Sequence, residues 1–224
     1  MNKEINVKVK FITFYKFYVT VDRQGETEMN LEKLEKHNLG TQEEEAMKSR
    51  RIHINDEVNE ETMFTVMYYM DKIKAQDEVR AIPMKDRQPI TLVVNSYGGS
   101  VYEALALIGK IENFQKLGYK IDTLVTGKAM SCGSLISVCG STRRAYKYST
   151  ILIHKLSGFM AGQYDNLVVT HEENIRIQNL LENIYIAKCK GKLSKELLLE
   201  KTKGIDWYIT PEDALELGII DEII

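Results

Sequence analysis

The chain has 224 residues, with 30 Lys and Arg against 32 Asp and Glu for a formal net charge of −2. That balance excludes the basic surface of a nucleic-acid binder, and no segment has the apolar length of a membrane span. With 44% apolar residues, a chain of this size can bury one full core.

Residues 5–21 alternate with period two. Val7, Val9, Phe11, Tyr15, Phe17, Val19 and Val21 share one face. Lys8, Lys10, Lys16 and Thr20 share the other, with Ile12, Phe14 and Tyr18 interrupting its polarity. The pattern predicts one long strand or two short ones. Met1 to Lys10 has no uninterrupted apolar run, so no signal peptide is read there, and a soluble, cytoplasmic protein is expected. Residues 22–49 are polar and helix-prone through Met47, and read as a connector. The run Glu43-Glu44-Glu45 is read as a solvated helix start. Residues 1–49 are thus taken as an N-terminal extension and residues 50–224 as the folded domain.

From Arg51 the pattern alternates strand and helix. Arg51 to Asn55 is a short strand, and Asn59 caps a helix with Glu60 and Glu61 in its first turn. That helix carries Met63, Val66, Met67, Met70 and Ile73. Ala81 to Pro89 is a loop. Ile90 to Val94 is an apolar strand buried on both faces, closed by Gly98-Gly99. A helix follows from Val101 to Leu117, with Leu105, Ile108, Ile111 and Phe114 as its inner positions. Ile121 to Thr126 is the next strand and Met130 to Val138 the next helix. Ala145 to Tyr148 and Ile151 to His154 are short strands. Helices are read over Asn166 to Cys189, Ser194 to Lys201 and Pro211 to Leu217, the last stopped by Gly218 before a strand-like Ile219-Ile220. Repeated strand–helix units of this kind predict an α/β fold.

The three cysteines, Cys132, Cys139 and Cys189, form no metal-ligand spacing and read as buried free thiols in a reducing compartment. Ser131 stands in Gly127-Lys128-Ala129-Met130-Ser131-Cys132-Gly133-Ser134, a turn of small residues between an apolar strand and a helix. A helix N-terminus supplies free N–H groups near the hydroxyl, and the N–H of Cys132 is placed to meet an oxyanion. Gly98-Gly99 can bring a second N–H, from Gly99, close to a ligand. His154 at a strand end suits a general base, and Asp206 suits the group that orients it. Each has a plain structural alternative: a helix-capping serine, a tight turn, a strand-end histidine, a turn aspartate. Their joint order is what carries chemistry.

That order, with Asn95-Ser96-Tyr97-Gly98-Gly99-Ser100, the Ser131 motif, Leu152-Ile153-His154 and the ending Pro211 to Asp221, resembles the proteolytic subunit of the Clp protease, the ClpP family. The resemblance covers about three quarters of the chain, from Arg51 onward. It implies a ClpP/crotonase-like α/β fold with a protruding strand–helix handle, matched here by Gly158 to Gln163 and the helix after it. It implies a serine endopeptidase acting through an acyl-enzyme, with Ser131, His154 and Asp206 as triad and Gly99 and Cys132 at the oxyanion. It implies no metal or organic cofactor, ATP being used only by a separate AAA+ unfoldase. It further implies a homo-oligomer, a heptameric ring or stacked rings, acting on polypeptides; the charge balance and segment lengths predict neither nucleic acid nor membrane as a partner. The apolar residues of the long helix, among them Val168, Ile175, Ile177 and Leu180, are then expected to meet neighbouring subunits.

Several positions depart from the family pattern. Tyr97 stands where Pro is usual, Lys155-Leu156 replace Gln-Pro after the histidine, and Ile205 and Trp207 flank Asp206. Residues 1–49 do not match the usual N-terminal segment, so residues 5–21 are read as an edge strand or as axial hairpins at a pore. The chain is similar to a divergent, phage or mobile-element member. Alternatives are a capsid-maturation-type protease, an inactive regulatory ring subunit, a crotonase-like acyl-CoA enzyme, and a Ser–Lys dyad peptidase enlisting Lys128.

Overall fold

The computed structural model describes residues 42–157 and 161–224. The expected strands over residues 5–21, most of the connector and the start of the handle lie outside the described residues. The part of the connector that is described, residues 42–49 (α1), is helical and sets Ala46 into the core. No strand forms over residues 161–163.

Among the described residues seven strands make one sheet in which all but one pairing is parallel. β1 (Arg51–Ile54) pairs with β2 (Ile90–Ser96), β2 with β3 (Ile121–Met130), β3 with β4 (Arg143–Ala145), and β4 with β7 (Glu222–Ile223). β5 (Thr150–Ile153) joins the far end of β3 and takes β6 (Trp207–Ile209) antiparallel on its other side. Helices α2 (Glu60–Val79), α3 (Val101–Lys116) and α4 (Cys132–Ser137) connect successive strands, as parallel pairing requires. The long α5 (Tyr164–Lys188), α6 (Lys195–Lys201) and α7 (Pro211–Glu216) complete the chain. This is the α/β architecture expected of the sequence.

β2 shows why the central strands lie inside: Ile90, Leu92, Val93, Val94 and Ser96 are all buried, as in a sheet covered on both faces. α2 begins as expected, with Asn59 Oδ1 accepting from Thr62 N–H at 2.9 Å. α3 is rotated slightly from its expected phase. It buries Ala104 and Leu107 beside Ile108, Ile111 and Phe114, while Leu105 stays half-buried. Gly218 ends α7 at φ 69, but the strand after it is Glu222–Ile223, since Ile219 and Ile220 turn into the core instead. Likewise β4 falls at Arg143–Ala145 and not at Ala145 to Tyr148. There the chain turns instead, with Ser149 N–H and Oγ both bonding Tyr146 O.

The decisive departure is in β3, which runs to Met130 instead of Thr126. Between the pairs Val94↔Val125 and Ser96↔Ala129, β2 advances by two residues and β3 by four. Asn95 fills this bulge: its Oδ1 accepts from Lys128 N–H at 3.2 Å and lies where a Cβ on Gly127 would come within 2.8 Å. Bulges bend a strand and re-aim the residues beyond them. Before the bulge β3 pairs with β4; after it, β3 pairs with β5.

Arg143 locks the C-terminal part to the sheet. Its guanidinium bonds both carboxylate oxygens of Asp221, at 2.8 and 2.5 Å, and donates to Lys188 O and Gly218 O. That ion pair and its hydrogen bonds hold the Asp221 carboxyl below its usual range.

Candidate active site

Ser131 joins the end of β3 to α4 with φ 53 and ψ −122, a conformation that residues with a Cβ avoid. The backbone is held there on both sides. Ser131 N–H donates to Leu152 O on β5 at 2.9 Å, and Ser131 O accepts from Ser134 N–H, Leu135 N–H and Ser134 Oγ. The hydroxyl plays no part in this. Asn59, Ser100, Ser194 and Thr210 each cap a helix by accepting from the N–H three residues on, whereas Ser131 makes no such bond. It is a strained serine whose Oγ is not spent on capping.

The glycine pair lies against this turn. Val58 N–H donates to Gly98 O at 2.8 Å and Val58 O accepts from Ser100 N–H at 2.7 Å, a parallel bridge opposite Gly99. Both bonds come from the neighbours of Gly99, so its own N–H and C=O face the other side. There Gly99 O accepts from Cys132 Sγ at 3.1 Å. Gly98 has φ 99 and Gly99 φ 148, where side chains are disfavoured, and a Cβ on Gly98 would sit 2.8 Å from that of Ser131. Cys132 opens α4, where backbone N–H groups lack intrahelical partners. Burial pushes the pKa of its thiol up, outweighing the opposing pull of Gly99 and Ser131, and leaves it a poor nucleophile.

Gly99, Ser131, Cys132 and His154 line one cleft, whose empty space, open solvent at its mouth included, is about 620 Å³. His154 directly follows β5, whose last three residues before it pair with β6 as Ile151↔Ile209, Leu152↔Tyr208 and Ile153↔Trp207. Continued by one residue, that register sets Asp206 opposite His154. Asp206 is exposed and does not line the cleft. Among the described residues no hydrogen bond joins Ser131 to His154 or His154 to Asp206. The structure therefore brings four of the five expected residues to one cleft and leaves Asp206 at the ladder end. Lys128 is turned away: its Nζ stacks 4.2 Å over the exposed Tyr97 ring, and it does not line the cleft, so the dyad that would enlist Lys128 is not assembled.

Behind the turn lies a network that motif reasoning missed. Ser134 Oγ reaches Ser131 O at 2.8 Å, Leu152 O at 2.9 Å and Tyr185 Oη at 2.6 Å. Two of these partners are carbonyls that can only accept, so the single Ser134 hydrogen serves them and the Tyr185 hydroxyl is the donor. Burial pushes the Tyr185 pKa up, which keeps that donor protonated. Gln178, Glu182 and Tyr185 share the cleft-facing side of α5. The signal was present as polar residues at i, i+4 and i+7 among apolar ones. Among the described residues, no group of three or more His, Cys, Asp or Glu is placed to hold a metal, and no helix is long and apolar enough to cross a membrane.

A family model described as Clp protease matches residues 35–224. The chain is 33% identical over 180 residues to the ATP-dependent Clp protease proteolytic subunit 1 of Protochlamydia amoebophila, covering 79% of this chain and 81% of that protein. It is 36% identical over 146 residues to the ATP-dependent Clp protease proteolytic subunit of Porphyromonas gingivalis, covering 64% of this chain and 62% of that one.

Proposed function

The chain belongs to the Clp protease family, and we propose that it is a serine endopeptidase using Ser131 as nucleophile. Ser131 Oγ attacks the scissile carbonyl carbon while His154 takes its proton. The negative charge that develops on the carbonyl oxygen meets the N–H groups of Gly99 and Cys132. His154 then protonates the leaving amine, and water, activated by the same histidine, hydrolyses the acyl-enzyme. Asp206 orients His154 from the facing position of the β5–β6 ladder. The reaction needs no metal or organic cofactor.

The observation that carries this reading is the Ser131 hydroxyl, unspent on capping and held on a strained turn inside a cleft it shares with His154. The experiment is labelling with a fluorophosphonate, which bonds an activated serine oxygen. Wild type is expected to label and Ser131→Ala to stay blank; a wild-type protein that stays blank in every assembly state refutes the reading.

Two further proposals concern partners. The outer surface of α5 leaves Val168, Val169, Ile175 and Leu180 exposed, which supports assembly into a homo-oligomeric ring, heptameric as the family resemblance implies. A ring protease in the cytoplasm needs unfolded chains delivered, so a separate ATP-dependent unfoldase is its natural partner.

A further inference from the structure

One wall of the cleft carries a carboxyl group for which peptide-bond hydrolysis has no use. Glu182 is 6% exposed and lines the cleft together with Ser131. The neighbouring walls are apolar, formed by Leu135, Ile153, Leu156, Leu181 and Leu198.

A chain of hydrogen bonds defines what Glu182 can do. Leu156 N–H can only donate, and Gln178 Oε1 accepts from it at 2.7 Å. The Gln178 amide must then turn its NH2 the other way, and Glu182 Oε1 accepts from that group at 2.9 Å. Glu182 Oε2 has no partner among the described residues. There the one fully enclosed side-chain polar atom without a partner is Arg50 Nε, so Glu182 Oε2 is not fully enclosed. Glu182 is itself among the residues that line the cleft. No cationic side chain pairs with it among the described residues; Lys155 lines the same cleft but is exposed to water.

A buried carboxyl with one neutral donor and one unpartnered oxygen is poorly compensated in the free protein. We propose that Glu182 determines side-chain specificity, drawing Lys or Arg at the residue that supplies the scissile carbonyl. The aliphatic stem would pack along the leucines while the charged head bonds Oε2. This rests on Ser131 being the nucleophile, because only then does the cleft beside it receive that side chain.

The test uses the full chain and two kinds of probe. A simple fluorophosphonate carries no side chain for the cleft and counts reactive Ser131 in each variant. Peptidyl phosphonates identical except for Lys, Arg, Leu or Met at the reacting residue then report preference as a ratio of labelling rates. Wild type is expected to favour the basic probes by about tenfold or more. Glu182→Gln, which keeps the shape of the side chain, is expected to lose most of that ratio, and Glu182→Leu to reverse it. A reactive Ser131 with an apolar preference that Glu182→Gln leaves unchanged overturns the proposal alone. A Ser131 that no probe labels overturns the nucleophile and this proposal together.

Discussion

Replacing Gly98 with alanine probes the contact between the glycine turn and Ser131 most directly. At φ 99 a Cβ is strained by about 1–2 kcal/mol. The new methyl would also stand 2.7 Å from Met130 O, 2.8 Å from Ser131 Cβ and 3.0 Å from Cys132 N. None of these is the far end of a flexible side chain, so the turn itself must shift, at about 1–3 kcal/mol. The sum is about 2–5 kcal/mol, or roughly 4–20 °C in Tm for a chain of this size. Thermal melts read the stability, and the fluorophosphonate labelling rate reads the displaced nucleophile. Gly109→Ala is the control: Gly109 sits within α3 with nothing within 4 Å of its would-be Cβ. That change should stabilise by about 0.5–1 kcal/mol. If Gly98→Ala melts with wild type and labels at the wild-type rate, Gly98 does not abut the serine turn and the geometry proposed for the site is wrong.

The Arg143–Asp221 pair contributes to stability in acid. Because the folded-state pKa of Asp221 is lowered, its stabilisation is complete above the unfolded value of about 3.9 and is lost as pH falls through the folded value. Asp221→Asn should therefore lower Tm at neutral pH and flatten the pH dependence below about 4; an unchanged acid limb in a melting series counts against the pair. Ring assembly is tested by native mass measurement on Val169→Glu and Ile175→Glu. Both should shift a ring toward monomer, and a wild-type protein that is monomeric at all concentrations removes the assembly proposal.

Local chemistry made much of the fold readable. Asn59, Ser194 and Pro211 mark helix starts by the hydrogen-bond needs of the backbone, and the structure places helices there. Ser131, Gly99, Cys132 and His154 could be picked out because small residues between a strand and a helix have few other uses. What escaped depends on distant partners. Gly127-Lys128 looks like a turn, yet it remains in β3 because Asn95, on the neighbouring strand, supplies an acceptor for Lys128 N–H. Trp207–Ile209 becomes a strand only by pairing with β5. Gln178, Glu182 and Tyr185 looked like ordinary polar positions on a helix, since their partners Leu156 and Ser134 lie far away in the chain.

The bulge in β3 makes the facing of Ala129 a question of parity. Side chains on a strand alternate between faces, and the two extra residues that β3 carries against β2 are an even number. The inward side before the bulge is therefore still inward after it, and Ala129 reaches the core just ahead of the serine turn. Losing or gaining a single residue there would turn the end of the strand inside out, whereas a change of two would preserve its facing and alter only its reach.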